Sequence, residues 1–187
     1  MHAGGAAGEA RSNIGEQAFY DAVARCQRLI TDGTRADFAA NELVLVSALA
    51  RPAAAQALAD LARPAVRRIA IGTPATVPAG HYAKAALERA GLWATVAPKL
   101  VFAESVRQSL NYVSRDEVDA AFVYRTDALL EAARVRIDFP VHTGGAVRYP
   151  IAVVAASKQA DAAAAFTRFV LGPGGRAVLE RHGFKRP

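Results

Sequence analysis

Apolar positions along this chain switch between two periods, and the switches mark its elements. From Glu16 to Ile30 the residues Phe19, Val23, Cys26 and Ile30 recur every three or four positions, the spacing of an amphipathic helix that Asp32 and Gly33 would stop. ELVLV at 42–46 is a β-rich run, and Pro52 suits the first turn of a helix expected over about Ala53–Leu61. A strand and helix alternation follows: RRIAIG at 67–72, a helix over 79–91 closed by Gly91, KLVFAE at 99–104, a helix over 106–117, and VDAAFVY at 118–124. Strands that are apolar throughout and joined by helices predict a parallel sheet covered on both faces, hence an α/β, doubly wound lobe. After Phe139 and Pro140 the pattern gives a Gly-containing loop, HTGGAVRYP, then a strand at 151–157 and two helices over about 160–171 and 174–182. No internal repeat is visible. Crossings of the chain between lobes are expected near Asn41–Leu45 and near Arg148–Ile151.

Composition narrows the function classes. With 187 residues, 52% of them apolar and 21% charged, the chain has enough apolar material for a substantial core. Residues 1–14 are Gly- and Ala-rich without an apolar period and read as a disordered tail. The formal charge of +6 comes from scattered arginines without interleaved aromatics, so no nucleic-acid partner is expected. Cys26 is the only cysteine, which excludes an intrachain disulfide and a cysteine-rich zinc site; its helical neighbours are apolar, as around a core thiol. His2, His81, His142 and His182 show no paired spacing, so neither direct metal ligands nor a resident cofactor are expected. The longest apolar run, LVLVSALA at 43–50, falls short of the roughly 18 residues that cross a bilayer, so no membrane insertion is expected. No charged start followed by an apolar stretch marks an export signal.

Three segments at strand-to-helix switches carry the chemistry. In TVPAG at 76–80, Pro78 presets a first helical turn, and the small Ala79 and Gly80 would let an anion approach N–H groups that lack helical partners. In AESVRQSL at 103–110, Ser105 and Gln108 form an S-x-x-Q capping box that starts a helix at Val106. In FVYRTDA at 122–128 the strand ends at Tyr124, a phenolic donor, and Thr126 or Asp127 could cap the next element. Each alone also fits an ordinary turn, cap or core tyrosine. Their shared place at consecutive strand ends suggests the walls of one pocket.

The stretches FAANELVLV, IGTPATVPAGHYAKAALERAGLW, KLVFAESVRQSLNYV, VDAAFVYRTDA, YPIAVV and LGPGGRAVLERHGF, from about Asp37 to Phe184, resemble the molybdate-binding proteins of bacterial ABC importers. The resemblance implies a type II periplasmic-binding-protein fold in which a tetrahedral oxyanion lies between two lobes, held by neutral hydrogen-bond donors without a countercharge. It makes Ala79 and Val106 backbone donors and Tyr124 a hydroxyl donor. It also implies molybdate or tungstate as ligand, a membrane permease as partner, a monomer, a periplasmic location and no catalysis. The family's serine-bearing turns in the first lobe have no match here. The expectation is therefore one complete lobe over 42–149 and a remnant first lobe from 15–41 and 150–187. In that N-terminally incomplete form binding would be impaired: losing about half of the donors at roughly 1.5–3 kcal/mol each would cost on the order of 6 kcal/mol, about four decades of affinity. The missing turns and an export signal are expected in the DNA upstream of Met1.

Two other classes fit less well. A cytoplasmic ligand-sensing domain of LysR-like type would need a helix-turn-helix ahead of the first lobe, which one helix at 16–30 does not supply. An enzyme using Cys26 or a histidine would need a base and an orienting partner that the sequence does not pair with either.

Overall fold

The computed structural model describes residues 28–145 and 147–187. Cys26, the tail at 1–14 and most of the helix expected over Glu16–Ile30 lie outside the described residues. At the end of that span Arg28 has a φ of 52°, and Ile30 forms a β-bridge with Val154, so the chain there is not helical.

Among the described residues the strands form two sheets. β1 (Ala36–Asn41) and β7 (Val147–Ile151) form an antiparallel ribbon. Lys185 adds to its free side, exchanging both backbone hydrogen bonds with Ala40 at 2.8 Å. The larger sheet contains β2 (Leu43–Ala48), β3 (Ile69–Gly72), β4 (Leu100–Ala103), β5 (Ala120–Tyr124) and β6 (Val135–Pro140) in the order β4-β3-β5-β2-β6. β3 runs parallel to β4 and β5, whereas β2 runs antiparallel to both β5 and β6. This corrects the expectation of a wholly parallel sheet. All six residues of β2 are buried, but an apolar run reports burial on both faces and carries no information on direction.

Helices cover both faces, as the apolar strands require. Against one face α1 (Pro78–Arg89) packs Ala79, Ala83 and Leu87 on Leu43, Leu45, Ile71 and Phe122. On the other, α3 (Val106–Ser114) packs Leu110 and Val113 on Val44, Val46, Ala121 and Val123. The alternation of Leu43 and Leu45 against Val44 and Val46 splits β2 between two cores. The short α2 (Trp93–Val96) precedes β4, α4 (Arg125–Leu130) follows β5, and α5 (Ala160–Leu171) and α6 (Pro173–Arg181) close the chain.

The helix expected over Ala53–Leu61 is instead a 3-10 turn at Leu58–Ala62. Carboxylates have taken the backbone donors a helix would need: Asp138 accepts from Ala54 N–H at 3.1 Å, and Asp60 from Gln56 and Ala57 N–H at 2.8 and 3.2 Å. Asp138 also accepts from Ser47 Oγ at 2.7 Å. Burial raises its carboxyl above the usual range, partly offset by Ser47, Ala54 and Arg136. The strand expected at 151–157 runs earlier, over Val147–Ile151 within what read as a loop, and β6 arises where no strand was read.

Candidate functional site

Because β3, β4 and β5 are parallel and adjacent, their carboxyl ends lie side by side on one edge of the sheet. The three segments singled out in the sequence leave that edge together. Ala79, Val106 and Tyr124 belong to one packed cluster, Ala79 buried within it and the other two partly buried against it.

The first turn is held by its glycines. Gly72 closes β3 and Gly80 stands at the start of α1; a Cβ on Gly80 would overlap the Gly72 carbonyl, so only glycine lets the helix start this close to the strand end. Pro78 is in the first helical turn, as its sequence context predicts, and Val77 occupies the N-cap without a side-chain bond. Gly80 and His81 N–H both donate to Val77 O, at 2.9 and 3.1 Å. The Ala79 N–H has no acceptor among the described residues.

At α3, Ser105 is the N-cap, and its Oγ accepts from Gln108 N–H at 3.1 Å. Gln108 reaches back through Oε1 to Glu104 N–H at 2.7 Å, one residue earlier than a standard capping box, and donates through Nε2 to Tyr112 OH at 3.0 Å. The turn is thus fixed from both sides. Val106 N–H has no acceptor among the described residues.

Tyr124 ends β5 opposite Leu43 of β2, half-buried, and its hydroxyl has no hydrogen-bond partner among the described residues. Burial raises its proton affinity well above the ordinary tyrosine range, with Tyr149, Tyr82 and Asp127 adding to the effect. The phenol therefore stays neutral and keeps its proton to donate. The helix after it starts at Arg125 with Tyr124 at the N-cap, so neither Thr126 nor Asp127 caps it. Thr126 Oγ1 accepts from Asn41 Nδ2 at 2.9 Å, and Asp127 pairs with Arg107 at 3.5 Å. Burial lifts the Asp127 carboxyl above its ordinary value, Arg107 opposing.

Sequence reasoning passed over Asn41 and Tyr149. Asn41 is 5% exposed at the junction of the two sheets, and it also donates to Tyr149 OH at 3.3 Å. A buried asparagine directly ahead of the apolar run ELVLV was the available signal. Among the described residues no group of three or more His, Cys, Asp or Glu is placed to hold a metal ion.

The family of bacterial extracellular solute-binding proteins matches residues 15–185. A Bacillus subtilis lipoprotein named as an ABC transporter substrate-binding protein is 34% identical over 165 residues, 84% of this chain and 62% of its own length. The molybdate-binding protein ModA of Escherichia coli is 41% identical over 118 residues, 63% of this chain and 46% of that protein. Among solved structures, a Clostridium difficile substrate-binding domain assigned to a molybdenum ABC transporter superposes with a TM-score of 0.79 at 31% identity, covering 89% of this chain and 72% of that one. The chain thus spans less than two thirds of the length of these curated relatives.

Proposed function

The chain belongs to the family of bacterial extracellular solute-binding proteins and has the type II periplasmic-binding-protein fold, and from that premise we propose that it captures molybdate, or tungstate, for an ABC importer. The observation that supports this reading is that the segments following three adjacent parallel strand ends carry Ala79 N–H, Val106 N–H and the Tyr124 hydroxyl in one packed cluster, each without a partner among the described residues. All three are neutral donors. A dianionic tetrahedral oxyanion offers acceptors on every side, so donors alone can hold it, and the two helix starts add partial positive charge without a countercharge.

In this reading the protein binds and releases and does no chemistry, needs no resident cofactor, and hands the anion to a membrane permease from the periplasm as a monomer. The names of relatives that bind molybdate support the choice of ligand. Among the described residues no helix is long and apolar enough to cross a membrane.

Calorimetric titration with molybdate tests the reading. Tyr124→Phe should weaken binding by roughly 1.5–3 kcal/mol, the worth of a hydrogen bond to a charged group, while leaving the melting temperature of the unliganded protein nearly unchanged. Equal affinities would remove Tyr124 from the site.

A further inference from the structure

Asn41 spends its hydrogen-bonding capacity locally, and the way it does so leaves two protons over. Its Oδ1 accepts from Glu42 N–H at 2.9 Å, which fixes the orientation of the amide. Its Nδ2 therefore faces two hydroxyl oxygens, Thr126 Oγ1 at 2.9 Å and Tyr149 OH at 3.3 Å, and donates to both. A hydroxyl that accepts from an amide still carries its own proton. Neither hydroxyl donates that proton to any described residue.

Both groups are held beside Tyr124. Thr126 follows it by two residues at the start of α4. Tyr149 comes from the ribbon, where its ring packs edge-on against Phe184 with centroids 5.6 Å apart and lies 6.3 Å from Phe38. Asn41, bonded to both hydroxyls, stands two residues ahead of Leu43, the cross-strand partner of Tyr124. Asn41 is buried, whereas Thr126 and Tyr149 are only partly covered.

We propose that Tyr149 and Thr126 are two further hydroxyl donors of the oxyanion site, with Asn41 as the positioning residue that occupies their lone pairs and turns their protons outward. The inference rests on the oxyanion reading above and extends its donor set from one sheet to both. An amide-to-hydroxyl-to-anion chain is polarised in one direction, which strengthens its last bond. It adds donors without adding charge.

The test is a molybdate titration of the intact chain and four variants, with unliganded melting temperatures measured alongside. Tyr149→Phe, which keeps the ring packing, and Thr126→Val should each weaken binding about tenfold, equivalent to about 1.4 kcal/mol. Thr126→Ser, which keeps the hydroxyl and loses the methyl, should stay within about twofold; Thr126→Val keeps the methyl and loses only the hydroxyl, so the contrast, read beside the melting temperatures, separates donation from packing. Tyr124→Phe is the reference. If it weakens binding while Tyr149→Phe and Thr126→Val bind like the parent, the inference is overturned and the proposed site stands. If molybdate binds and none of the hydroxyl variants matters, or if the parent chain shows no binding even at millimolar molybdate, where the weakened affinity expected from its missing donors would still register, both fall.

Discussion

Asp127 is a carboxylate on the wall of a site proposed for an anion, and its protonation should set the pH response of binding. Burial holds its carboxyl above the ordinary value, and Arg107 at 3.5 Å only partly counters this. Below that raised pKa the group is neutral and does not oppose the ligand; as pH rises through it, the charge appears and repels the oxyanion. Molybdate affinity should therefore fall with rising pH across a window that begins above the usual aspartate range. Asp127→Asn should flatten that dependence and raise the affinity at neutral pH by about fivefold, since one unit charge a few ångströms away in water-like surroundings is worth on the order of 1 kcal/mol. Titrations at several pH values on parent and variant check it, and parallel curves for the two would remove Asp127 from the field of the ligand.

Elements hold the site through a few close approaches, the tightest being Gly80 on Gly72. Gly80→Ala would drive a methyl into the Gly72 carbonyl, so α1 must shift away from the end of β3 and take the Ala79 N–H with it. The expected cost is about 1–3 kcal/mol of stability by denaturant unfolding, together with a loss of molybdate affinity. Unchanged unfolding would mean that the turn relaxes freely. The elements at this edge were the legible ones: TVPAG and the Ser105 and Gln108 pair are local signals, and both helices begin where their sequences place them. What escaped is non-local. VRIDFP reads as polar because Asp138 is spent on Ser47 and Ala54, 91 and 84 residues away in sequence. The same carboxylate, with Asp60, helps hold the expected helix before Leu58 in irregular form. Asn41 meets Thr126 and Tyr149 across 85 and 108 residues, so no reading of spacing could join them. Tyr124 needed no such contact, because the end of an apolar strand already marked it.

For the whole molecule the question is whether the surplus of six positive charges or the neutral donors govern the attraction of an anion. Much of the cationic surface is locally compensated: Arg35 pairs with Asp37 at 2.8 Å, Arg51 with Asp116 at 2.6 Å, and Lys185 with Glu42 at 2.9 Å. Arg107, next to Val106 in sequence, is turned toward Asp127. A site built of neutral donors has no ion pair with its ligand to be screened, and its hydrogen bonds act at contact distance. Raising salt from about 0.1 M to 1 M shortens the screening length from roughly 10 to 3 Å, which suppresses the field of the surface but scarcely touches bonds shorter than that. The dissociation constant for molybdate should then change by no more than about threefold over that range, while the association rate, which samples the longer-range field, falls further. Stopped-flow and equilibrium titrations at both salt concentrations separate the two quantities. A loss of affinity of about a hundredfold or more would place the anion on a basic surface patch, and the three strand ends would no longer be its site.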